Sequence, residues 1–408
     1  MKKVAIFGHG VVGSGVSRIL LDRGKSLGLE LSAICTKNPD PHFSRKDLFC
    51  DAKSIFENPE IKILFEAIGG VGAAFDFVKT ALKSGKSVVT ANKEMVAKHF
   101  VELHEIAEKS GGKILFEAAV GGGIPVLSAM RAGLSGDELL EIVGILNGTT
   151  NFILTEIEKT GADFADILKI AQQKGFAEAD PTADIEGFDA LYKLIILIAL
   201  GFGKMFSPTE IPRRGISKIL PIDFEYAEKF GGKIKLAAVA KKAGDEIFAE
   251  ISPVLFFKNS RMARTDGVLN AILLRGAENT AGNFFSGEGA GSAPTAAAMI
   301  SDAVSLAAAD PIFPKKPTRG VFQKSPKQRF YVRFEVFDRP GIVGKIGEIL
   351  GKKGISIDAI FQIPRQKSSP THFAMTTFSA PRDDFLAAIS ETSKENFNAE
   401  MPFYFPIF

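Results

Sequence analysis

The chain has 408 residues, too many for one compact core, so two or three domains are expected. With 46% hydrophobic and 24% charged residues, disorder over most of the length is excluded. Fifty basic against forty-seven acidic residues leave a net charge of +3, too little for a nucleic-acid footprint, and no run of five or more Lys or Arg occurs. The two cysteines, Cys35 and Cys50, cannot build a disulfide framework or a Cys-based zinc site, which points to a reducing cytoplasm. His9, His42, His99, His104 and His372 show no metal-ligand spacing. The opening Met1 to Gly8 turns glycine-rich too soon for a signal peptide. The apolar run from Leu194 to Leu200 falls far short of the roughly twenty residues that span a bilayer. A soluble multidomain protein with no membrane or nucleic-acid partner is expected.

Val4 to Phe7 reads as a buried parallel strand that runs into Gly8-His9-Gly10-Val11-Val12-Gly13 and then a helix through Leu21. G-x-G-x-x-G between strand and helix allows a tight turn and close backbone approach to a pyrophosphate at the helix N-terminus. The alternative is a glycine-rich turn with no ligand. A second strand ends in Thr36-Lys37, where an NAD-selective site places Asp or Glu. A cation there complements a 2′-phosphate, so NADP is favoured over NAD, unless Lys37 is only a solvated surface residue. Ile61 to Gly70, a helix from Ala73 to Ser84, and Ser87 to Glu94 continue the strand–helix alternation of a doubly wound sheet to about residue 128. Thr90, Asn92 and Lys93 fall at a strand's carboxyl end, where such sheets bind ligands.

Lys113 to Pro125 reads as another strand entering a glycine loop whose carbonyls can bind a cation or shape a cofactor pocket, or which is merely a flexible connection. Ile142 to Leu154 reads as strand, polar turn and helix start. In the densest polar stretch, a helix ending near Lys174 is closed by Gly175, and Asp180-Pro181 is expected to start the next. On that helix Asp189 and Lys193 share a face just before a stretch that is apolar all round. The pair is either a surface ion pair worth about 0.3–0.5 kcal/mol or a partly desolvated ammonium near Glu178, Asp184 and Asp189 that can donate a proton.

Gly8-x-Gly10-x-x-Gly13, Thr90-Ala91-Asn92-Lys93, Leu146-Asn147-Gly148-Thr149-Thr150-Asn151 and the long series Gly175-Phe176-Ala177-Glu178-Ala179-Asp180-Pro181-x-x-Asp184-x-x-Gly187-x-Asp189-Ala190-x-x-Lys193 together resemble the homoserine dehydrogenase family over about residues 1 to 325. The resemblance implies NAD(P)-dependent interconversion of L-aspartate 4-semialdehyde and L-homoserine, on the route to threonine, methionine and isoleucine. It implies Lys193 as proton donor, Glu178, Asp184 and Asp189 at the substrate, and Lys93 beside both substrate and cofactor. For the cofactor it implies Gly8, Gly10, Val11, Val12, Gly13, Thr90, Lys93, Gly175, Glu178 and Gly291, to which the strand-end reading adds Lys37. Glu117 and the carbonyls of Val120, Gly122 and Ile124 resemble the family's monovalent-cation loop, for Na+ or K+. Gly287 to Thr295 resembles the segment that returns to the nucleotide domain, followed by a helix to about Ala309.

Pro311 to Gly320 is proline-rich and basic, a linker by composition. Beyond it a strand from Phe330, the turn Asp338-Arg339-Pro340-Gly341, a helix, and strands at Gly354 to Gln362 and Thr371 to Ser379 resemble an ACT domain. In this family that module is a natural site for threonine feedback; the alternative is a ligand-free dimerisation module. Deletion from about residue 326 onward is expected to abolish threonine sensitivity and spare catalysis. The expected architecture is α/β. A Rossmann-type doubly wound nucleotide domain spans 1–128 plus about 290–325, an α+β catalytic and dimerisation domain spans 129–289, and a ferredoxin-like ACT domain spans 329–408. A homo-oligomer, dimer or tetramer, is expected. Another Rossmann-type amino-acid dehydrogenase would need a different segment in place of Glu178 to Lys193, and a silent amino-acid sensor would have no use for it.

Overall fold

The computed structural model describes residues 1–308, 316–363 and 370–408. The chain forms two compact units. The first comprises residues 1–146, 189–211 and the described part of 269–320; the second comprises 147–188, 212–268 and the described part of 321–408.

The first unit holds a five-stranded parallel sheet in the order Leu29–Cys35, Lys2–Phe7, Ile61–Glu66, Ser87–Thr90, Ile114–Leu115. The apolar runs form these strands because helices cover them; Val4, Ala5, Ile6, Leu64, Phe65, Val88 and Val89 are all fully buried. Helix Val11–Arg23 buries Val16, Ile19 and Leu20 in the same core as Met299, Ile300 and Ala303 of helix Ser292–Ala307. The two helices pack closely at Gly15, where a Cβ would lie 3.0 Å from that of Ala296, and Ser292 Oγ donates to the Val11 carbonyl at 2.7 Å. The segment after Gly291 thus returns to the nucleotide turn. The same unit contains an antiparallel set, Leu139–Ile145, Leu269–Gly276 and Asn283–Glu288. The linker assigned to Pro311 to Gly320 lies partly outside the described residues; Thr318–Arg319 pairs with Lys204–Met205 as a short parallel ladder.

One element departs from its expected form. A single helix from Pro181 is expected to carry Asp189 and Lys193, but the chain makes one short turn, Thr182–Ile185, breaks at Gly187 (φ +79°) and restarts as Phe188–Phe202. The left-handed glycine lets the second helix take its own direction. Ala190, Leu191 and Leu194 to Ala199 on it are fully buried, as a helix apolar all round must be.

In the second unit, the hairpin Gly232–Ala243 with Glu246–Phe257 continues across Phe403–Ile407, Lys327–Val336 and Thr371–Thr377 to Ile357–Phe361. With helices Ile342–Lys352 and Arg382–Thr392, the last four strands form a ferredoxin-like βαββαβ module. Its core stacks Phe330 on Phe385 at 3.7 Å and Phe334 on Phe373 at 5.0 Å. This module is not a detachable appendage. Strand Phe403–Ile407 pairs in parallel with Glu246–Phe257 at Ile407 and Leu255, and the Phe408 N–H donates to the Leu255 carbonyl at 2.9 Å. The fully buried Asp223, on helix Pro221–Lys229, accepts from Tyr331 Oη at 2.7 Å and Arg333 Nε at 2.8 Å. Excision at residue 326 therefore removes both side-chain partners of that carboxylate and leaves it the Leu220 N–H at 2.8 Å.

Candidate active site

The Gly8 to Gly13 turn is built by contact. A Cβ on Gly13 would lie 2.0 Å from the Gly8 carbonyl oxygen, so only glycine permits the helix to start this close to the strand. Gly10, the N-cap, has nothing within 4 Å of where its Cβ would be, leaving open space above the first N–H groups of the helix. The first turn has no acidic residue, and Val11 is exposed while Val12 is half-buried. These features fit a dinucleotide pyrophosphate. His9 sits beneath the turn, its Nε2 2.9 Å from Ser17 Oγ and its ring against Phe43 and Phe49; burial pushes its pKa down, so it stays neutral. Thr36 and Lys37 lie just past strand Leu29–Cys35, and Lys37 is exposed.

At the carboxyl end of the third strand, the buried carboxylate of Glu66 organises the next turn. It accepts from the Ile68 and Gly69 N–H groups at 2.8 and 3.1 Å and from Thr90 Oγ1 at 2.5 Å. Asn92 caps helix Lys93–Ser110 through the Met95 N–H at 3.1 Å, which sets Lys93 as the first residue of that helix. Lys93 Nζ lies 2.9 Å from Asp189 Oδ1. The other oxygen of Asp189 accepts from Lys193 Nζ at 2.7 Å, and Lys193 donates also to the Leu146 carbonyl at 2.6 Å. Asn270 Nδ2 donates to the same carbonyl at 2.9 Å. Lys193 and Asp189 are each 7% exposed, so this is no surface pair. One carboxylate bridges two ammonium groups at the carboxyl edge of the parallel sheet, the edge on which the glycine turn lies.

Other expected residues are placed as follows. Gly175 follows helix Phe164–Gln173 in the left-handed conformation at φ +73°; Glu178 is exposed, with its carbonyl accepting from Gln172 Nε2 at 3.1 Å. The Asp184 carboxylate accepts from Asn147 Nδ2 at 2.7 Å; Asn147 in turn caps helix Gly148–Thr160. Gly291, at φ +120°, caps the returning helix Ser292–Ala307. In the glycine loop, Val120, Gly122 and Ile124 contribute backbone only, and Gly122, at φ +54°, abuts Gly289 so closely that any Cβ would clash with its carbonyl. Val120, Gly121, Gly122 and Ile124 are buried, while Gly123 and Pro125 are exposed. The Glu117 carboxylate accepts from the Leu127 and Ser128 N–H groups just beyond the loop, at 2.8 and 2.7 Å. Among the described residues no group of three or more His, Cys, Asp or Glu side chains could hold a metal ion.

Beside the loop lies an ion cluster that sequence reasoning missed. Arg131 Nη2 lies 3.4 Å from Glu117 and 3.3 Å from Asp302, and Asp302 also accepts from the Glu117 N–H at 2.7 Å. Two buried carboxylates share one guanidinium. Burial outweighs the guanidinium and pushes Asp302 up to about 7 and Glu117 above its usual range. Asp302 lies 171 residues beyond Arg131, and although Glu117 was singled out with its loop, nothing in the local context of Arg131 or Asp302 marks them as its partners. Glu66 and Asn270 were likewise missed, although Glu66 ends an apolar strand directly before Gly69-Gly70.

A parallel sheet with a glycine turn at a helix N-terminus, and a buried ammonium held by a carboxylate at the same edge, define a dinucleotide-dependent α/β oxidoreductase that carries a ferredoxin-like module. Residues 8–117 match the family model for the homoserine dehydrogenase NAD-binding domain, residues 125–304 that for homoserine dehydrogenase, and residues 330–396 that for the ACT domain. The homoserine dehydrogenase of Synechocystis sp. is 35% identical, with 98% of each chain aligned. The crystal structure of a homoserine dehydrogenase from Thiobacillus denitrificans superposes with a TM-score of 0.92 at 34% identity, covering 100% of this chain and 98% of that one. A hyperthermophilic archaeal homoserine dehydrogenase solved in complex with NADPH matches at a TM-score of 0.63 and 25% identity, covering 76% of this chain and 99% of that one. The chain belongs to the homoserine dehydrogenase family.

Proposed function

We propose that the protein reduces L-aspartate 4-semialdehyde to L-homoserine with NADPH, and that Lys193 gives the proton. The observation that carries this reading is the Lys193 ammonium, 7% exposed and fixed between Asp189 Oδ2 and the Leu146 carbonyl. The cofactor, when bound on the Gly8 to Gly13 turn, supplies the hydride. Lys193 then meets the developing alkoxide with a positive charge and a proton, which water could not hold in place. Asp189 orients Lys193 and ties it to Lys93 on the nucleotide side. Lys93 serves as the second catalytic cation, beside substrate and cofactor. Glu178 and Asp184 provide the negative charge that a substrate ammonium needs, and Glu117 with the carbonyls of Val120, Gly122 and Ile124 suits a Na+ or K+ ion. Gly8, Gly10, Val11, Val12, Gly13, Thr90, Gly175, Glu178 and Gly291 border the cofactor. The exposed Lys37, and the absence of a carboxylate at the end of its strand, support NADPH, as does the NADPH bound by the archaeal relative.

The module at residues 330–396 regulates the enzyme by binding threonine at the Asp338 to Gly341 turn, which lines a cavity of about 160 Å³. Division into segments 1–128 with about 290–325, 129–289 and 329–408, a homo-oligomeric assembly and a cytoplasmic location complete the proposal. The test is NADPH consumption with aspartate semialdehyde. Lys193→Ala should lower turnover by about 10²–10⁴-fold while NADPH binding, read by its fluorescence, is retained. Undiminished turnover would remove Lys193 from the mechanism.

A further inference from the structure

A cavity of about 570 Å³ lies within the second unit, inside the roughly 300–1,000 Å³ range of small-molecule pockets. One wall is the segment that follows helix Thr182–Ile185 together with residues 213–218; the other is formed by the strands Lys327–Val336 and Phe403–Ile407 of the ferredoxin-like module. It shares no lining residue with the Asp338 to Gly341 turn.

Its two outer guanidiniums are held in advance of any ligand. Arg213 stacks 3.5 Å from the Phe188 ring centre and donates to the Glu186 carbonyl; Arg214 stacks 3.9 Å from the Tyr404 ring centre and donates to the Tyr404 carbonyl. One stacked face and one hydrogen bond fix a planar fork without using its remaining donors. Lys218 adds a third cation on this side. The fourth, Arg333, is already neutralised by Asp223 at 2.8 Å. Three carboxylates also line the cavity, Glu186 on the wall of the cations and Glu335 and Glu400 on the other. Glu186 is steadied by Ser217 Oγ at 2.9 Å. The neighbour of Glu335 is His372 at 3.3 Å, whose pKa burial pushes down, so it brings no lasting positive charge.

Three positive and three negative groups around one cavity suit neither a simple anion nor a simple cation. A ligand that carries both signs close together can satisfy both sets of groups. We propose that this cavity binds a free α-amino acid, with its carboxylate at Arg213, Arg214 and Lys218 and its ammonium toward Glu186 and Glu400, as an effector site separate from the ferredoxin-like module's own turn. The expected consequence reaches the substrate segment through the chain itself. Glu186 is two residues after Asp184 and three before Asp189, and its carbonyl is what Arg213 holds. An occupant that draws Arg213 toward itself changes the constraint on that segment.

The inference goes beyond the proposed activity and is read separately from it, by binding. Calorimetric titration of the full chain with L-threonine, L-methionine, L-isoleucine and L-lysine, with succinate and inorganic phosphate as single-sign probes, gives the primary result. At least one amino acid is expected to bind, with affinity lowered tenfold or more by Lys218→Met and by Glu400→Gln, and retained in Asp338→Asn. Both cavity substitutions change exposed side chains and leave fold and basal turnover intact. Binding of succinate or phosphate but no amino acid would overturn the assignment, as would amino-acid binding indifferent to both cavity substitutions, or no binding at all. Turnover in the NADPH assay is independent of each of these outcomes, so failure of the one reading is not failure of the other.

Discussion

Asp302→Asn tests the buried ion cluster most directly. The carboxylate is raised from 3.8 to about 7, chiefly by burial. The folded state therefore holds this proton more tightly than the unfolded chain does, and between pH 4 and 7 unfolding releases it. Stability consequently falls as pH rises through that window and levels off above 7, the reverse of an acid paired at the surface. Three units at 1.36 kcal/mol each make the total of order 4 kcal/mol by pH 8. Asparagine keeps an acceptor for the Glu117 N–H and leaves Arg131 to Glu117 alone, so the new cluster carries one charge of each sign. The unfolding temperature of the unmodified chain should drop between pH 5 and 8, whereas that of the variant should be flatter and, at pH 8, no lower. Differential scanning calorimetry across this range reads both. Parallel profiles for the two proteins would refute the argument, because they would mean that Asp302 gives up its proton in the folded state as readily as in the unfolded one.

Gly13→Ala places a methyl group 2.0 Å from the Gly8 carbonyl oxygen, so the turn must open and NADPH fluorescence on binding should be lost; retained binding would show that the turn has slack. Asp223→Ala leaves the Arg333 guanidinium buried without its counter-ion, an error that costs about 3–5 kcal/mol, and the thermal transition should fall accordingly. Lys37→Glu replaces a cation at the end of the second strand with the acid that an NAD site uses; the ratio of kcat/KM for NADPH over NADH should drop by at least tenfold, and an unchanged ratio would make Lys37 a bystander.

Local rules carry far in this chain where local physics decides. The buried strands of the parallel sheet are short apolar runs with glycine at their ends. The glycine turn needs its residues at fixed offsets, and the i, i+4 spacing of Asp189 and Lys193 already placed them on one helix face. Other features lay beyond reach because they depend on which distant segments meet. The second acceptor of Lys193 is a carbonyl at Leu146, which no side-chain motif reveals, and Asn270 reaches that carbonyl from another strand. The break at Gly187 was obscured by Pro181, whose suitability for a helix start suggested one continuous helix. The join between the ferredoxin-like module and its neighbour rests on Asp223, a charged residue on a short helix with no local sign that Tyr331 and Arg333 would bury it.

Strand Phe403–Ile407 lies between Lys327–Val336 and Glu246–Phe257, so a late segment of the chain occupies an interior place in its sheet. During synthesis both flanking strands emerge from the ribosome first, with an edge of unsatisfied amides exposed on each. Until the intervening strand arrives, they present adjacent templates for pairing with the wrong neighbour, and loop closure across such sequence distances is slow. Expression yield should accordingly rise when holdase chaperones are supplied.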